Sequence, residues 1–306
     1  ILFAITGRHR EAEQDFRKAA ELTSDLVARF PSELQYAQAL AIHRSNLGEL
    51  LDELGRTSEA EDLLRQSLDF WEQLAAREPT VRNNRSKLAV TLGTLATCLA
   101  KTGRPLEAEE ALGRVVELRR ELADEFPNYS HSRSQLGSAL RELALLIAER
   151  GELHEARRLL ELAIEHERVA IKLDPGRPAY VRFLRNQYVS LADTLVKLGE
   201  HAEAARTATE LPPLFPDAWQ DRLAAASVLA RCASVAAKDS KLTEQERREA
   251  IEAYASRAVT LLREAIQLGF QDIESLKTNP DFAAVLSRDY FHRLLDGQAG
   301  QHIEKK

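Results

Sequence analysis

One spacing constrains this chain more than any other feature: its punctuation recurs every 48 residues. Gly7, Gly55, Gly103, Gly151 and Gly199 stand 48 apart, and each is followed by a Glu-Ala pair, Glu11-Ala12, Glu59-Ala60, Glu107-Ala108, Glu155-Ala156 and Glu203-Ala204. Pro31, Pro79, Pro127 and Pro175 run at the same period, 24 residues behind the glycines. A fixed period of this length marks an array in which each unit buries its apolar face against its neighbours. A chain of 306 residues could otherwise make two compact domains, and the repeat argues for the array.

Within each unit the apolar residues step by three and four. Ala12, Phe16, Ala19, Leu22 and Leu26 place one face on a helix from about His9 to Arg29. Pro31 then stops it, because proline lacks the backbone donor and pushes its predecessor out of helical angles. Nine residues after the prolines come Leu40, Leu88, Leu136 and Leu184; sixteen after come Leu47, Leu95, Leu143 and Leu191; Leu51, Leu99, Ile147 and Leu195 hold a third register. These are expected core positions of a first helix, which the glycine ends by adopting left-handed angles. The second helix is expected to start with Ser58 and Glu61 as a capping box, or with Pro105 at its first position. The alanine of each Glu-Ala pair lets two helices approach closely, so Ala108→Arg should cost about 1–3 kcal/mol or more through overpacking.

The spacing predicts residues 1–31 as a truncated first repeat, 32–79, 80–127 and 128–175 as full repeats, and 176–216 as a shortened one broken by Leu211-Pro212-Pro213-Leu214-Phe215-Pro216. A degenerate pair spans 217–269, with helices at about Ala218 to Ala237 and Glu244 to Leu268, the second opened by a Thr243–Glu246 capping box and closed by Gly269. Residues 270–296 read as a C-terminal cap of two short helices, carried by Leu276 to Phe282 and Asp289 to Leu295, and 297–306 as a frayed tail. Ile1 to Gly7 read as the last turns of a helix that begins upstream, so the chain reads as a fragment of a longer protein. The fold class expected is all-α, a right-handed α-solenoid of antiparallel helix pairs with short C-terminal capping helices.

Charge and composition narrow the function classes. With 42 basic against 48 acidic residues and a formal net charge of −6, the chain lacks the basic surplus of a general nucleic-acid binder. Its apolar runs are too short to span a bilayer; a cytoplasmic location is expected for this segment, in a parent protein that could be membrane-anchored upstream of it. Cys98 and Cys232 lie on different repeats and suggest neither a disulfide framework nor a thiolate cage.

Several short motifs imitate chemistry. Val169-Ala170-Ile171-Lys172 spells the kinase phosphate-binding lysine motif, which requires a strand behind a glycine-rich loop; here it falls at the end of a predicted helix. Lys101-Thr102-Gly103 has no accompanying Ser-x-x-Lys. His154-Glu155 lacks a second histidine at 158, where Arg158 stands, and no convergent set of zinc ligands appears. Cys98 occupies a core register, and Trp71 and Trp219 read as packing anchors. No catalytic, cofactor or metal residues are expected, and no enzyme.

The order Leu47, Gly48, Gly55, Ala60, Leu64 and Pro79 resembles the tetratricopeptide repeat (TPR), with a unit of 48 residues in place of about 34. Two extra turns on each helix would account for the difference. HEAT-type helical repeats are nearer in length but lack the turn glycine followed by alanine. Gly-Arg-x-x-Glu-Ala-Glu, the Pro-Asp-Phe at 280–282 and the final Phe-x-x-Leu-Leu also resemble the C-terminal regions of planctomycete-type bacterial serine/threonine protein kinases. The resemblance implies a protein-interaction scaffold that recruits partners or substrates to a kinase domain elsewhere in the parent protein. A ligand- or peptide-sensing array and a self-association or spacer element are the alternatives. The family's groove positions fall on Glu49, Asp52, Glu53, Thr97, Lys101, Arg141, Glu149, Asn186, Asp193 and Lys197. The family's carboxylate-clamp asparagine is replaced by Glu49, Thr97, Leu145 and Asp193. The acids Glu49, Asp52 and Asp193 imply a protein or peptide partner with a basic segment.

Overall fold

The computed structural model describes residues 8–286, 288 and 291, and the described residues form helices joined by tight turns, with no strand among them. In order they are α1 (His9–Arg29), α2 (Leu34–Glu53), α3 (Thr57–Arg77), α4 (Arg82–Lys101), α5 (Pro105–Glu125), α6 (Ser130–Glu149), α7 (Leu153–Leu173), α8 (Pro178–Leu198), α9 (His201–Thr209), α10 (Leu211–Leu214), α11 (Trp219–Ala236), α12 (Glu244–Gln267), α13 (Ile273–Thr278) and, after a 3₁₀ turn over Pro280–Phe282, α14 (Ala283–Leu286). The chain divides within α6 into two units, Ile1–Leu146 and Ile147–Lys306. In the first unit α1 packs on α2, α2 on α3, α3 on α4 and α4 on α5, while the first helices α2 and α4 also touch. In the second, α8 packs on α7 and α9, α11 on α8, α9 and α12, and the short closing elements rest on α11 and α12. The fold is an all-α array of helices packed in consecutive pairs.

The turns form for local reasons. Gly55, Gly103, Gly151 and Gly199 take φ of 78°, 76°, 90° and 78°, angles at which any Cβ is strained. The Gly55 N–H donates to Asp52 O (3.0 Å) and the Arg56 N–H to Leu51 O (2.8 Å), the paired closure of a Schellman motif. The same pair recurs at Gly103, Gly151, Gly199 and Gly269. A turn this short between two helices of about twenty residues that pack on each other makes the pair antiparallel. At the proline punctuation the Glu33 N–H donates to Phe30 O and the Val81 N–H to Glu78 O, both at 3.1 Å. Proline's fixed φ suits the second position of such a turn.

The alanine register is the tightest part of the core: Ala12 is 1 % exposed, and Ala60, Ala108, Ala156 and Ala204 are 0 % exposed. The leucine registers of the first helices are buried too, except Leu143, which is half-buried. Each buried leucine contributes about 1.5–3 kcal/mol of apolar burial. One second-helix register departs from apolar packing. Thr23, Trp71, Arg119, Glu167 and Phe215 follow one another at the repeat period and all are buried. Trp71 fills its place by packing, with Phe70 edge-on at 5.1 Å. Arg119 donates to Ser86 Oγ (3.1 Å) and to Gln135 Oε1, and burial lowers its pKa to about 10. Glu167 accepts from Gln187 Nε2 at 3.3 Å. Repeat geometry thus sets where a residue is buried, while its chemistry varies.

Charges at the starts of the second helices tie neighbouring pairs together. Arg56 reaches Glu59 on its own helix and Glu13 on α1 (2.6 Å each). Arg104 likewise reaches Glu107 (2.5 Å) and Glu61 on α3 (2.7 Å). In the second unit the polarity is reversed: Arg157 on α7 pairs with Glu200 and, at 3.2 Å, with Glu203. This use of Glu61 corrects the expected capping box. The helix begins at Thr57 with Arg56 as N-cap and no side-chain cap bond, because Glu61 is held by Arg104 and Arg65.

The box at Thr243 and Glu246 does form, with Glu246 N–H to Thr243 Oγ1 at 3.3 Å and Thr243 N–H to Glu246 Oε2 at 2.8 Å. Pro105 stands at the start of α5 as expected. Of the C-terminal pattern, Phe282 and Phe291 are fully buried. Gly7, Asp289, Tyr290, Leu294 and Leu295, and the tail 297–306, lie outside the described residues.

Candidate functional site

One face of α4 in the first unit is exposed or half-buried along its length. On α4, Val90, Gly93, Thr94, Thr97 and Lys101 fall at i, i+3, i+4, i+7 and i+11, one face of a helix. Val90 is 48 % exposed. A Cβ placed on Gly93 would meet nothing within 4 Å. Packing therefore gives no reason for a glycine that costs the helix about 1 kcal/mol relative to alanine. Thr94 and Thr97 donate their hydroxyls to Val90 O and Gly93 O, both at 3.2 Å. Their polar atoms are spent on their own helix, and the stripe is weakly polar.

The equivalent stripe on α2 is acidic. Glu49 and Glu53 are one turn apart and both exposed. Although Glu49 reaches solvent, the protein crowded around it desolvates the carboxylate and raises its pKa, and the charge of Glu53 adds to the effect. Asp52 has a different environment. It is 6 % exposed and its Oδ2 accepts from Lys101 Nζ at 2.6 Å, across from α4. Asp52 and Lys101 thus neutralise each other and leave Glu49 and Glu53 as the uncompensated acids of this face. Cys98 lies beside them, fully buried. Burial, and then the Asp52 charge, push its thiol up to about 12, which makes it an inert core residue.

Further along the first unit, Arg141 is half-buried, and burial lowers its pKa while Glu142 opposes the shift. Glu142 reaches solvent, yet the protein crowded around it desolvates its carboxyl and raises its pKa against the pull of Arg141 and Arg119. In the second unit Glu149, Asn186 and Lys197 are exposed, and Asp193 is paired with Arg231 of α11 at 2.5 Å. Glu49, Glu53 and Thr97 share a face in the first unit, while Asp52 and Asp193 are occupied by cations of their own chain. Val90 and Gly93 were not among the ten positions expected to line a groove. The signal that could have found them is the contrast with Ile42, Ser138 and Asn186, and with Ser45, Arg141 and Val189, at the same repeat registers.

The imitation motifs are absorbed by the fold. Val169 to Lys172 lie in the last turns of α7, with Ala170 fully buried, so no strand presents the lysine. Trp71 is 1 % exposed, and Trp219 packs against Phe270 at 5.2 Å. Among the described residues no helix is long and apolar enough to cross a membrane.

The sequence profile of the tetratricopeptide repeat family matches residues 40–78, from the first buried leucine of α2 to the residue before Pro79. Residues 40–78 are thus similar to a tetratricopeptide repeat. Their helix–turn–helix is the pair α2–α3, which carries Gly55, Ala60, Glu49 and Glu53. Solved structures of similar fold include the nearly identical TPR-like repeats of a Podosopora anserina kinesin light chain (21 % identity, 71 % of this chain and 94 % of that chain, TM-score 0.49). BtubC from P. vanneervenii is another (14 %, 95 % and 92 %, TM-score 0.48). YrrB, a TPR protein with an unusual peptide-binding site, is a third (14 %, 82 % and 97 %, TM-score 0.37). No characterised protein matches the chain in sequence.

Proposed function

We propose that the chain is a non-catalytic protein-interaction scaffold whose first-helix face in the first unit holds a basic segment of a partner protein. The observation that carries this reading is the α4 stripe: Gly93 with open space above it, beside the half-exposed Val90. A mid-helix glycine without a packing role suits close approach by another chain. Glu49 and Glu53 on the adjoining α2 supply the charge preference, because a cation relieves two acids that crowd each other. The resemblance of the repeat wording to kinase C-terminal regions supports a further proposal, that the array recruits partners or substrates to a serine/threonine kinase domain elsewhere in a cytoplasmic parent protein.

A photo-crosslinking residue at position 97 tests the face, with one at Leu106, an exposed second-helix site, as control. Adducts from position 97 should map to Lys- or Arg-containing segments and disappear in Glu49→Lys/Glu53→Lys. Equal adducts from both positions, or acidic adduct peptides, would refute the assignment. If neither position captures a segment while light scattering shows concentration-dependent oligomers, the array is a self-association element instead.

A further inference from the structure

In the second unit a cavity of about 460 Å³ opens between the C-terminal ends of α8 and α11. Its polar lining is Lys197, Ser234, Lys238, Asp239, Ser240 and Lys241. Among the described residues none of the three lysines forms an ion pair within 4 Å, and neither serine hydroxyl has a hydrogen-bond partner. Asp239, the single acid of the lining, is already engaged: its Oδ1 accepts the Lys241 N–H at 2.8 Å, and its Oδ2 lies 3.3 Å from His201 Nε2. His201 in turn meets the Tyr254 hydroxyl at 2.9 Å. The unengaged polar side chains of the cavity are therefore ammonium donors and hydroxyls, Lys197 contributed by α8 and Lys238 and Lys241 by the segment after α11.

Lysines at helix C-termini commonly offset exposed carbonyls, but backbone groups close these helix ends. Gly199 N–H and Glu200 N–H take Val196 O and Leu195 O, while Lys238 N–H and Asp239 N–H take Val235 O and Ala236 O. The ammonium groups are left without that role. We propose that this cavity is an anion site for a phosphoryl group, with Lys197, Lys238 and Lys241 as its charged donors. A tetrahedral group of charge near −2 with three free oxygens satisfies several ammonium and hydroxyl donors at once, whereas a carboxylate offers two oxygens and a single charge. The aliphatic Val196 and Val235 in the lining suit a ligand that carries the phosphoryl group on a carbon skeleton, and the volume is that of a small-molecule site. The proposal concerns a different unit and a different charge preference from the Glu49 face, and stands or falls separately.

The test is isothermal titration and thermal unfolding of the full chain at low salt. The probes are inorganic pyrophosphate, N-acetyl-O-phosphoserine amide and citrate, each against wild type, Lys197→Gln and Lys238→Gln/Lys241→Gln. At least one phosphoryl probe should bind saturably, raise the melting temperature, outcompete citrate, and weaken at least ~10-fold in the double variant. Without ligand that variant should melt no lower than wild type, because removing like charges relieves repulsion. Preference for phosphoserine amide would place the phosphoryl group on a modified partner, and preference for pyrophosphate on a free molecule; either sustains the site. No saturable binding, citrate binding as tightly, binding unchanged by the substitutions, or a variant that melts well below wild type would overturn it.

Discussion

Two glycines inside first helices provide a sharp test of this account, since the same substitution should move stability in opposite directions. At Gly93 an alanine methyl enters open space. It removes the entropic cost of a mid-helix glycine, so Gly93→Ala should stabilise the chain by about 0.5–1 kcal/mol. At Gly48 the added Cβ would stand 2.8 Å from Leu64 Cγ and 3.2 Å from Ala60 O. Leu64 is fully buried and Cγ is its branch point, so relief requires a helix shift. Overpacking of this kind costs about 1–3 kcal/mol, which exceeds the propensity gain of roughly 1 kcal/mol. Gly48→Ala should therefore lose on the order of 1 kcal/mol. Urea titrations followed by far-ultraviolet circular dichroism read both as shifts in midpoint at constant slope. A destabilised Gly93→Ala would mean that the glycine has a structural role after all, and would remove the main support for the interaction face. A neutral or stabilised Gly48→Ala would show that the α2–α3 crossing yields more readily than the contacts imply. If both behave as expected, Gly93→Ala should also weaken partner capture at position 97, a loss of function that accompanies a gain in stability.

Lys101→Met should destabilise by about 1–3 kcal/mol, less than for a fully buried pair, because it strands the Asp52 carboxylate while the lysine itself is half-exposed; adding Asp52→Asn should restore most of the loss in a double-mutant cycle, and an unrescued double variant would contradict the pairing. Cys98 and Cys232, whose thiols burial pushes up to about 12, should resist a maleimide at pH 8 in the folded chain and react promptly in urea, so rapid native labelling would disprove their burial. Glu13, Glu59 and Glu107 have pKa values lowered first of all by arginine hydrogen bonds. Their contribution should be full above the ordinary glutamate value of 4.5 and drain away as pH falls through the lowered folded values. Glu49 and Glu142, raised by desolvation, act in the opposite sense, destabilising once ionised and ceasing to do so as pH falls towards 4.5. Urea midpoints across pH 3–7 check both signs, and in Glu49→Gln the change on the higher-pH side should shrink.

Helix lengths, turn positions and the tight alanine register were legible in the sequence because their causes are local. Gly55 ends a helix through its own φ, Pro31 through its missing donor, and Ala60 marks a crossing whose geometry recurs in every unit. The predicted span His9 to Arg29 is the observed one, and the pair after Asp217 differs only at its ends, Trp219–Ala236 and Glu244–Gln267. Charges were not legible in the same way. Glu61 looked like a capping partner for Ser58, three residues away, and is instead held by Arg104, 43 residues away. Asp52 and Asp193 looked like free groove acids and are occupied by Lys101 and Arg231.

By itself, then, the sequence determined the repeating helix pair, where the helices stop, and the alanine and most of the leucine registers that are buried, though not every expected face: Leu22, placed on the apolar face of α1, is exposed. Those follow from backbone angles, missing donors and apolar spacing within a few residues. Only the tertiary structure decided which charges remain available to another molecule. An ion pair forms when two side chains some forty residues apart are brought face to face, and the contact depends on helix packing rather than on neighbours in the chain. The open space above Gly93 and the unpaired lysines between α8 and α11 are decided in the same way, by what the surrounding helices leave uncovered.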